Sequence, residues 1–566
     1  MHSTVWRLTH GASGLVLAYL TVLIPMYVGL VRKQAPPAKL LVAPLVAILS
    51  LIVAAIAIAM VGAVLGAVGF SRDGFFRLGL GWLITIAVGY VSAFAMLSLS
   101  KSDVSHRRGS VVTHKPEPGI PAATAIPCLS LAGVPIAKQD ETKHFKFIGT
   151  TGTGKSTAIR EILNAALMRG DRAVIADPDA GYLENFYNPA RGDVILNPFM
   201  AGALKWNALA EIVHDQDVDQ LARSLIPDTG DPDHTWTEHA RAFFIAVTQQ
   251  ALRAGLKDDA ELHRLLTKAP VEELRSLLNG TSAAPLLESG NDRMFGSVRG
   301  TVITAVRVLE YTTRQQAPAF SVRNWIRNGA ATSAGGKGGA LFLPYKAGQI
   351  AALRSIISAW MRIAIFEAMD RREGDQRLWL VVDELDALGA IDGLKDALAR
   401  LRKFGGRTVI GFQSIAQVSG TYGRSAADTI VENCGNTLIL RCSASERGGT
   451  SEFASKLIGQ REVMHKTRST STRPTEWLSS TTMSEHLKIE PAVMASEIER
   501  LPDLAGFLKL ASGPDWMRVD LIPTTYPIAD VAAVTAPVQT SSSSHPAQPD
   551  AVSEPPRRSR KKTQQG

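Results

Sequence analysis

Three long stretches without a charged side chain occupy the first hundred residues of this 566-residue chain. They cover residues 11–31, 40–70 and 78–100. Each reaches the roughly 20 residues that an α-helix needs to cross about 30 Å of hydrocarbon. Buried helices of globular proteins rarely run this far without a charge, and a cleaved signal peptide would explain only the first stretch. The sequence therefore predicts a transmembrane region over residues 1–100, with helices at about 11–31, 40–67 and 78–100.

The short loops beside these helices differ in positive charge. The loop between the second and third helices contains only Arg72 and Arg77, partly offset by Asp73. The loop before the second helix and the segment after the third are more basic, and contain Arg32, Lys33, Lys39, Lys101, Arg107 and Arg108. By the positive-inside rule, the first loop and everything after residue 100 lie in the cytoplasm, with the N-terminus outside.

The segments that flank the cytoplasmic domain have distinct compositions. Residues 101–127 are polar and then proline-rich, which predicts a stem or linker. Residues 528–566 are rich in Ala, Pro, Ser and Gln and end in a basic cluster. This composition predicts a disordered basic tail, because too few apolar residues are present to form a core.

The segments between stem and tail alternate short apolar β-branched runs with helical patterns, which predicts an α/β sheet over residues 128–204 and 319–527. Strand signals disappear over residues 205–318, so we expect an all-α domain inserted into the sheet domain. The predicted strands are 145–148, 173–176, 340–343, 378–382, 408–411 and 437–441.

A glycine-rich loop follows the first predicted strand. Its sequence, GTTGTGKS, fits the pattern GxxxxGK[ST] between a strand and a helix. The glycines let backbone N–H groups point at phosphate oxygens, and the following helix adds its positive end. Lys155 can then act in catalysis on the β- and γ-phosphates, and the Ser156 hydroxyl can ligate Mg²⁺. The predicted nucleotide-binding residues are Gly149, Thr150, Thr151, Gly152, Thr153, Gly154, Lys155, Ser156 and Thr157.

Hydrolysis of a bound nucleotide also requires carboxylates on a neighbouring strand. The apolar run LWLVV at 378–382 is followed directly by Asp383 and Glu384, at the strand end where parallel sheets bind ligands. We predict that Asp383 holds Mg²⁺, directly or through water, and that Glu384 orients and deprotonates the attacking water. A DE pair alone is common in surface loops, but its position after five apolar residues favours the catalytic role.

Two further polar positions border the strand at 408–411. Gln413 is predicted to contact the γ-phosphate or the attacking water, and the alternative is a polar residue that only closes the strand. Arg402 and Lys403 precede the strand, and by themselves they are typical of a solvated helix end. No LSGGQ sequence precedes the DE strand, which disfavours an ABC transporter. The arginine motifs in the second domain of the common helicases are also absent from the sequence.

Several segments together closely resemble the TraD/TrwB-type conjugative coupling proteins, the ATPases that bring DNA to a type IV secretion channel. The resemblance extends over roughly residues 125–525. It is carried by FIGTTGTGKSTAIREIL, RGDRAVIADPDAGYLENFYNPARGDVILNPF, KWNALAEI, LWLVVDELDALGAIDGLKDALARLRKFGGRTVIGFQSIAQVSGTYG and NTLILRCS. It implies a RecA-like nucleotide-binding domain with an all-α insertion, a hexameric ring around a channel, ATP with Mg²⁺, and DNA as the bound or translocated substrate.

The resemblance also implies roles for single residues. The family's Walker A motif falls on residues 149–156, its Walker B motif on Asp383 and Glu384, and its glutamine on Gln413. Its RKxGG pattern falls on residues 402–406, which makes Arg402 the leading candidate for an arginine finger that reaches a neighbour's nucleotide. The implied location is the bacterial inner membrane, with the ATPase domain in the cytoplasm. Relaxase, other relaxosome proteins and inner-membrane secretion proteins are the implied partners.

Two features depart from the family pattern. Relatives usually have two membrane helices, and this sequence predicts three. Relatives with long tails tend to end acidic, whereas this tail is basic, so binding to DNA or anionic lipid and a merely solubilising role remain alternatives. The basic residues of the tail are Arg557, Arg558, Arg560, Lys561 and Lys562.

The overall charge is compatible with DNA as a partner, at +9 with an isoelectric point near 9.4. No base-reading motif is present, so we expect contacts mainly to phosphates, on single-stranded DNA and without sequence preference. Two other functions stay open: delivery of protein effectors by an ATPase of the same fold, and a receptor that ATP locks with little turnover. The three cysteines have no CxxC spacing and predict neither a disulfide framework nor a zinc site.

Overall fold

The structure, a computed structural model, divides into two compact units. One contains residues 1–107 and 463–488, and the other contains residues 108–462 and 489–566. The described residues are 12–32, 35, 37–67, 74–98, 104–114, 129–227, 235–328, 338–370, 377–445, 449–471, 480–529 and 531.

Three helices of the first unit are long and apolar enough to cross a membrane. They are α1 (Ala12–Arg32), α2 (Pro37–Ala67) and α3 (Gly74–Ser98), close to the predicted spans. Small residues let α1 and α3 approach closely, because a Cβ at Gly29 would lie 2.9 Å from the Ala93 Cβ and one at Gly89 would overlap the Val22 carbonyl. Large apolar side chains such as Leu41 face outward, as expected for helices surrounded by lipid.

A mixed sheet of ten strands organises the second unit, as far as the structure describes it. Seven neighbouring strands are parallel, and the strand order is β2-β17-β16-β13-β5-β12-β11-β6-β10-β7. Strands β16 and β17 extend the sheet in antiparallel fashion. The bounds are β2 (Val112–His114), β5 (Phe145–Ile148), β6 (Arg172–Pro178), β7 (Val194–Ile195), β10 (Gly339–Tyr345), β11 (Leu378–Val382), β12 (Gly406–Phe412), β13 (Asn436–Ile439), β16 (Ala505–Lys509) and β17 (Trp516–Asp520).

Both faces of this sheet are covered, which is why its central strands are continuous apolar runs. Along β11, Leu380 and Val382 belong to one hydrophobic core, and Trp379 and Val381 belong to the other. The first core includes α13 (Ile350–Met369) and α14 (Leu394–Arg400), and the second includes α5 (Lys155–Met168). The buried central strands give the strand ends fixed positions on which a site can be built.

Helices make up most of the insertion, and the predicted fold class, with its all-α inserted domain, is confirmed. A two-stranded parallel pair, β8 (Lys205–Trp206) and β9 (Ala319–Phe320), joins the two ends of this segment. The helices between them are α7 (Asp215–Leu225), α8 (Thr235–Arg253), α9 (Asp259–Thr267), α10 (Val271–Leu277) and α11 (Asp292–Thr313).

Some elements were not predicted from the sequence. The predicted stem contains β1 (Val104–Gly109) and β2, and β2 pairs with β17 at the edge of the large sheet; residues 115–128 lie outside the described part. Strands β14 (Gln460–Ser471) and β15 (Ser480–Pro491) form a separate sheet with β1. In the predicted tail, residues 528, 529 and 531 are described, and the basic cluster lies outside the described residues.

The remaining elements are short or lie on the surface of the second unit. They are β3 (Ser130–Leu131), β4 (Val134–Pro135), α4 (Lys138–Glu141), α6 (Leu183–Phe186), α12 (Val322–Asn328), α15 (Ile415–Tyr422), α16 (Arg424–Asn433), α17 (Gly449–Ile458) and α18 (Ala495–Glu499).

Candidate active site

The glycine-rich loop joins β5 to α5 through left-handed glycines. Gly152 and Gly154 have φ angles of 78° and 116°, which favour glycine. A Cβ at Gly154 would also lie 2.8 Å from the Leu521 side chain. The N-cap residue of α5 is Gly154, which provides no side-chain cap, so the N–H groups of the first turn are available to an anion.

Lys155 begins α5 and its side chain is buried. Its ammonium donates hydrogen bonds to the carbonyls of Gly149, at 2.7 Å, and Thr150, at 3.3 Å. Burial lowers the pKa of Lys155, and the nearby carboxylates of Asp383 and Glu384 oppose that shift. The positive charge therefore lies inside the loop, next to the two acidic side chains.

Asp383 follows β11, and β12 lies between that strand and β5. The carboxylates are expected from the sequence on a neighbouring strand, and in the sheet one strand, β12, separates their strand from the loop strand. Gly411 lets β12 lie close to Asp383, because any Cβ at this position would overlap the Asp383 carbonyl. The Ser156 hydroxyl donates to Asp383 Oδ2 at 2.8 Å, so the two predicted magnesium residues are in contact.

The free oxygen of Asp383 tests whether these residues fit a divalent cation. Oδ1 is buried and accepts no hydrogen bond from the part of the chain that the structure describes. A buried carboxylate oxygen without a donor is costly unless a cation or water completes it. A hydroxyl and a carboxylate are also ligands that Mg²⁺ prefers. The pair therefore fits Mg²⁺.

Gln413 links the glycine-rich loop to Glu384. Its amide oxygen accepts from the Thr151 hydroxyl at 2.9 Å, and its amide nitrogen donates to Glu384 Oε1 at 3.0 Å. Burial raises the pKa of Glu384, and the negative charge of Asp383 raises it further. A carboxylate with a raised pKa is a better proton acceptor for catalysis near neutral pH.

These groups line one cavity of about 310 Å³ at the carboxyl ends of the parallel strands. Arg160 and Leu504 also line it, and neither was predicted from the sequence. Arg160 lies one helical turn beyond Ser156, a spacing that could have identified it. The lining residues are Thr151, Gly152, Gly154, Lys155, Ser156, Thr157, Arg160, Asp383, Glu384, Gln413 and Leu504.

Tyr182 also contacts the site and was not predicted to have a role. Its hydroxyl donates to Asp383 Oδ2 at 2.7 Å. Burial raises the pKa of Tyr182 well above its usual range, so the hydroxyl remains protonated. The signal in the sequence was its place just after the carboxyl end of β6, where functional residues of parallel sheets collect.

Arg402 lies away from this cavity within the chain. It belongs to a 3₁₀ turn, Leu401–Phe404, just before β12, whereas Gln413 follows the other end of β12. Its side chain is exposed. The structure therefore brings together the loop, Asp383, Glu384 and Gln413. It places Arg402 beside the amino-terminal end of β12, at the opposite end of that strand from the cavity.

Among the residues that the structure describes, the cysteines and histidines form no alternative site. Cys434 and Cys442 are buried and free, and Cys128 lies outside the described residues. Within the described ranges, no cluster of three or more His, Cys, Asp or Glu side chains could hold a metal ion.

Comparison with known proteins identifies the family. The family model of the type IV secretion-system coupling protein DNA-binding domain matches residues 128–522. The chain belongs to this family of coupling proteins. It is similar to the coupling protein TraD of Escherichia coli strain K12, with 29% identity over 385 residues, which is 68% of this chain and 53% of TraD. The chain thus spans about half the length of that relative.

Solved structures of the bacterial conjugative coupling protein TrwB have the same fold. A form in complex with sulphate matches with a TM-score of 0.65 and 28% identity, and covers 76% of this chain and 98% of that one. The complex with the ATP analogue ADPNP gives the same values. The complex with ADP and Mg²⁺ matches with a TM-score of 0.64 and 27% identity, over 76% and 97%. This coupling protein therefore has a RecA-like, ATPase-type nucleotide-binding fold, and its apolar helices are those of a membrane-anchored protein.

Proposed function

We propose that the protein is an inner-membrane coupling ATPase that uses ATP hydrolysis to recruit or pump a relaxase–DNA substrate to a type IV secretion channel during conjugation. One observation carries the hydrolytic part. Lys155, Ser156, Asp383, Glu384 and Gln413 line a single cavity and are connected by the hydrogen bonds described above. The similar protein TrwB has been solved with ADPNP and with ADP and Mg²⁺, which supports ATP and Mg²⁺ as the ligands.

Each residue has a role that follows from its position. The loop N–H groups and Lys155 bind the phosphates, and Arg160 adds a second positive charge to the cavity wall. Ser156 and Asp383 would hold Mg²⁺, which supplies charge neutralisation at the β- and γ-phosphates. Glu384 accepts a proton from the attacking water, and Gln413 orients that carboxylate while it contacts the loop through Thr151.

Glu384 also separates this proposal from the alternative of a receptor that ATP locks with little turnover. A receptor would need no water-activating acid, yet Glu384 lies beside the phosphate loop with a raised pKa. Delivery of protein effectors by the same fold remains the second candidate. The match to a coupling-protein DNA-binding domain over residues 128–522 favours DNA, as does the net charge of +9.

A homohexameric ring in the inner membrane, with its ATPase domain in the cytoplasm, completes the proposal. Arg402 is exposed and lies at the end of β12 opposite the cavity of its own subunit. This position suits a residue that acts on a neighbouring subunit. An arginine supplied in this way stabilises negative charge on the transferring phosphoryl group. Relaxosome proteins and inner-membrane secretion proteins would be its partners.

The test compares two variants of the full chain in lipid nanodiscs. Lys155→Ala should lose ATP affinity, because it removes the cation inside the loop. Glu384→Gln should keep ATP affinity and lose about 10²–10⁴-fold in turnover, since only the water-activating carboxylate is removed. Fluorescent nucleotide binding and phosphate release measure the two effects separately.

Surface substitutions of the same types serve as matched controls. Lys346→Ala and Glu432→Gln change exposed side chains outside the cavity, so both should retain binding and turnover. Wild-type turnover by Glu384→Gln would refute Glu384 as the base. A wild-type protein that binds ATP and does not hydrolyse it, with or without DNA, would favour the locked receptor.

A further inference from the structure

Tyr182 forms a contact that joins two distant parts of the sheet domain. It lies directly before the short helix α6, and the residue is 2% exposed. Its hydroxyl donates to Asp383 Oδ2, across 201 residues of sequence. The ring packs near Arg160, whose guanidinium carbon lies 5.7 Å from the ring centroid.

Hydrogen bonds to the Asp177 carboxylate fix the backbone around Tyr182. The Asp177 carboxylate accepts hydrogen bonds from the N–H groups of Tyr182, at 3.0 Å, and Leu183, at 2.7 Å. Asp179 and Ala180, just before them, both adopt left-handed φ angles, 54° and 59°. Non-glycine residues keep this conformation only where the surroundings impose it, and such strain concentrates at functional sites.

The C-terminal segment at residues 526–529 packs against α6, which follows Tyr182 directly. The Tyr526 and Phe186 rings are in contact, with centroids 5.1 Å apart. The Ala529 N–H donates to the Glu184 carbonyl at 2.8 Å. Tyr182 is therefore fixed on both sides, although it does not itself line the nucleotide cavity.

The effect of this contact falls on the orientation of one carboxylate. Oδ2 of Asp383 accepts from two hydroxyls, those of Ser156 and Tyr182. Oδ1 is left as the buried oxygen without a donor among the described residues. A side chain that can rotate freely would present either oxygen, whereas this one is locked with Oδ1 available.

We propose that Tyr182 is a positioning residue that orients the Asp383 carboxylate for a divalent cation bound with the nucleotide. The inference rests on the proposed ATPase function and adds a residue to it. Hydrogen-bond partners of metal-ligating side chains commonly change metal affinity by 10–100-fold when they are removed. The Tyr182 hydroxyl should therefore set the Mg²⁺ requirement of the site, more than its affinity for the nucleotide itself.

The experiment uses Tyr182→Phe in the full chain in nanodiscs, because Phe keeps the buried ring and removes only the hydroxyl. Fluorescent mant-ADP binding is measured in EDTA and then across a Mg²⁺ titration. We expect unchanged binding in EDTA and a Mg²⁺ midpoint raised by about 10–100-fold. ATP turnover should return to within about threefold of wild type at saturating Mg²⁺, because the base and the loop are intact.

Tyr422→Phe is the matched control. Tyr422 is half-buried, and its hydroxyl is also hydrogen-bonded, but to the backbone of Ile391 and Gly389 outside the cavity. It should show a normal Mg²⁺ midpoint. Equal midpoints for Tyr182→Phe and wild type would overturn the inference, as would an equal loss of affinity with and without Mg²⁺. A wild-type protein whose mant-ADP binding ignores Mg²⁺ would instead contradict the proposed ATPase site.

Discussion

His144 provides a pH test of how the turn that carries Arg402 is held. The residue lies just before β5, is 1% exposed and has a left-handed φ of 55°. Its Nε2–H donates to the Leu398 carbonyl at 2.9 Å, and its Nδ1 accepts from the Thr408 N–H at 3.1 Å. The bond from Thr408 requires the neutral imidazole with its proton on Nε2, and the two bonds join α14 to β12 on either side of the turn with Arg402.

The magnitude follows from the pKa. Burial, with the positive charges of Arg402 and Arg407, lowers the pKa of His144 from 6.5 to about 4. Between these values the unfolded chain binds a proton that the folded chain does not, so stability falls as pH falls through that window. At pH 5.0 the loss relative to pH 7.5 is about 2 kcal/mol, or roughly 30-fold in an opening equilibrium.

The assay is hydrogen exchange of peptides that cover residues 406–412, in wild type and in His144→Asn. Asn tolerates a left-handed φ and offers an oxygen in place of Nδ1, but it does not titrate in this range. After correction for intrinsic exchange rates, protection in wild type should fall about 30-fold more than in the variant between pH 7.5 and 5.0. Parallel changes in the two proteins would refute a buried neutral His144, because other titrating groups are common to both.

Two further predictions concern the neighbouring subunit and DNA. Arg402→Ala and Lys155→Ala subunits should each be inactive alone. Mixed in one hexamer, they should partly restore ATPase activity, because some interfaces then combine an intact loop with an intact arginine. Full activity of Arg402→Ala alone would exclude Arg402 as an arginine finger. Affinity for single-stranded DNA should fall by about tenfold or more between 50 and 200 mM salt, as three or more phosphate contacts require. Deletion of residues 557–566 separates the contribution of the tail, and affinity that is independent of salt would contradict phosphate contacts.

Local patterns in the sequence were sufficient wherever the determining interaction is local. Twenty apolar residues without a charge predict a membrane helix, because the bilayer acts on each segment separately. The loop at 149–156 could be identified because its glycines, lysine and serine act through their own backbone. The strand at 378–382 was recognised because a strand buried on both faces is continuously apolar.

Strands with a polar composition were missed, because the predictions relied on local apolar patterns. Strand β14 contains Arg461, Glu462, His465 and Lys466, and much of β15 is equally polar. Their apolar side chains are few, so no alternation predicted them. Strand β2 has only three residues and joins the sheet through β17, a partner some 400 residues away.

The sequence alone determined the membrane segments, the phosphate loop and the identity of the acidic strand. The tertiary structure decided that β12 lies between that strand and the loop, and that Gln413 bridges Thr151 and Glu384. It also decided that the Tyr182 hydroxyl donates to Asp383, and that Arg402 lies at the end of β12 opposite the cavity. The physical reason is that strand order and side-chain contacts across hundreds of residues are set by how whole faces pack. Hydrophobic periodicity specifies which face of each element is buried and contains no information on which partner buries it.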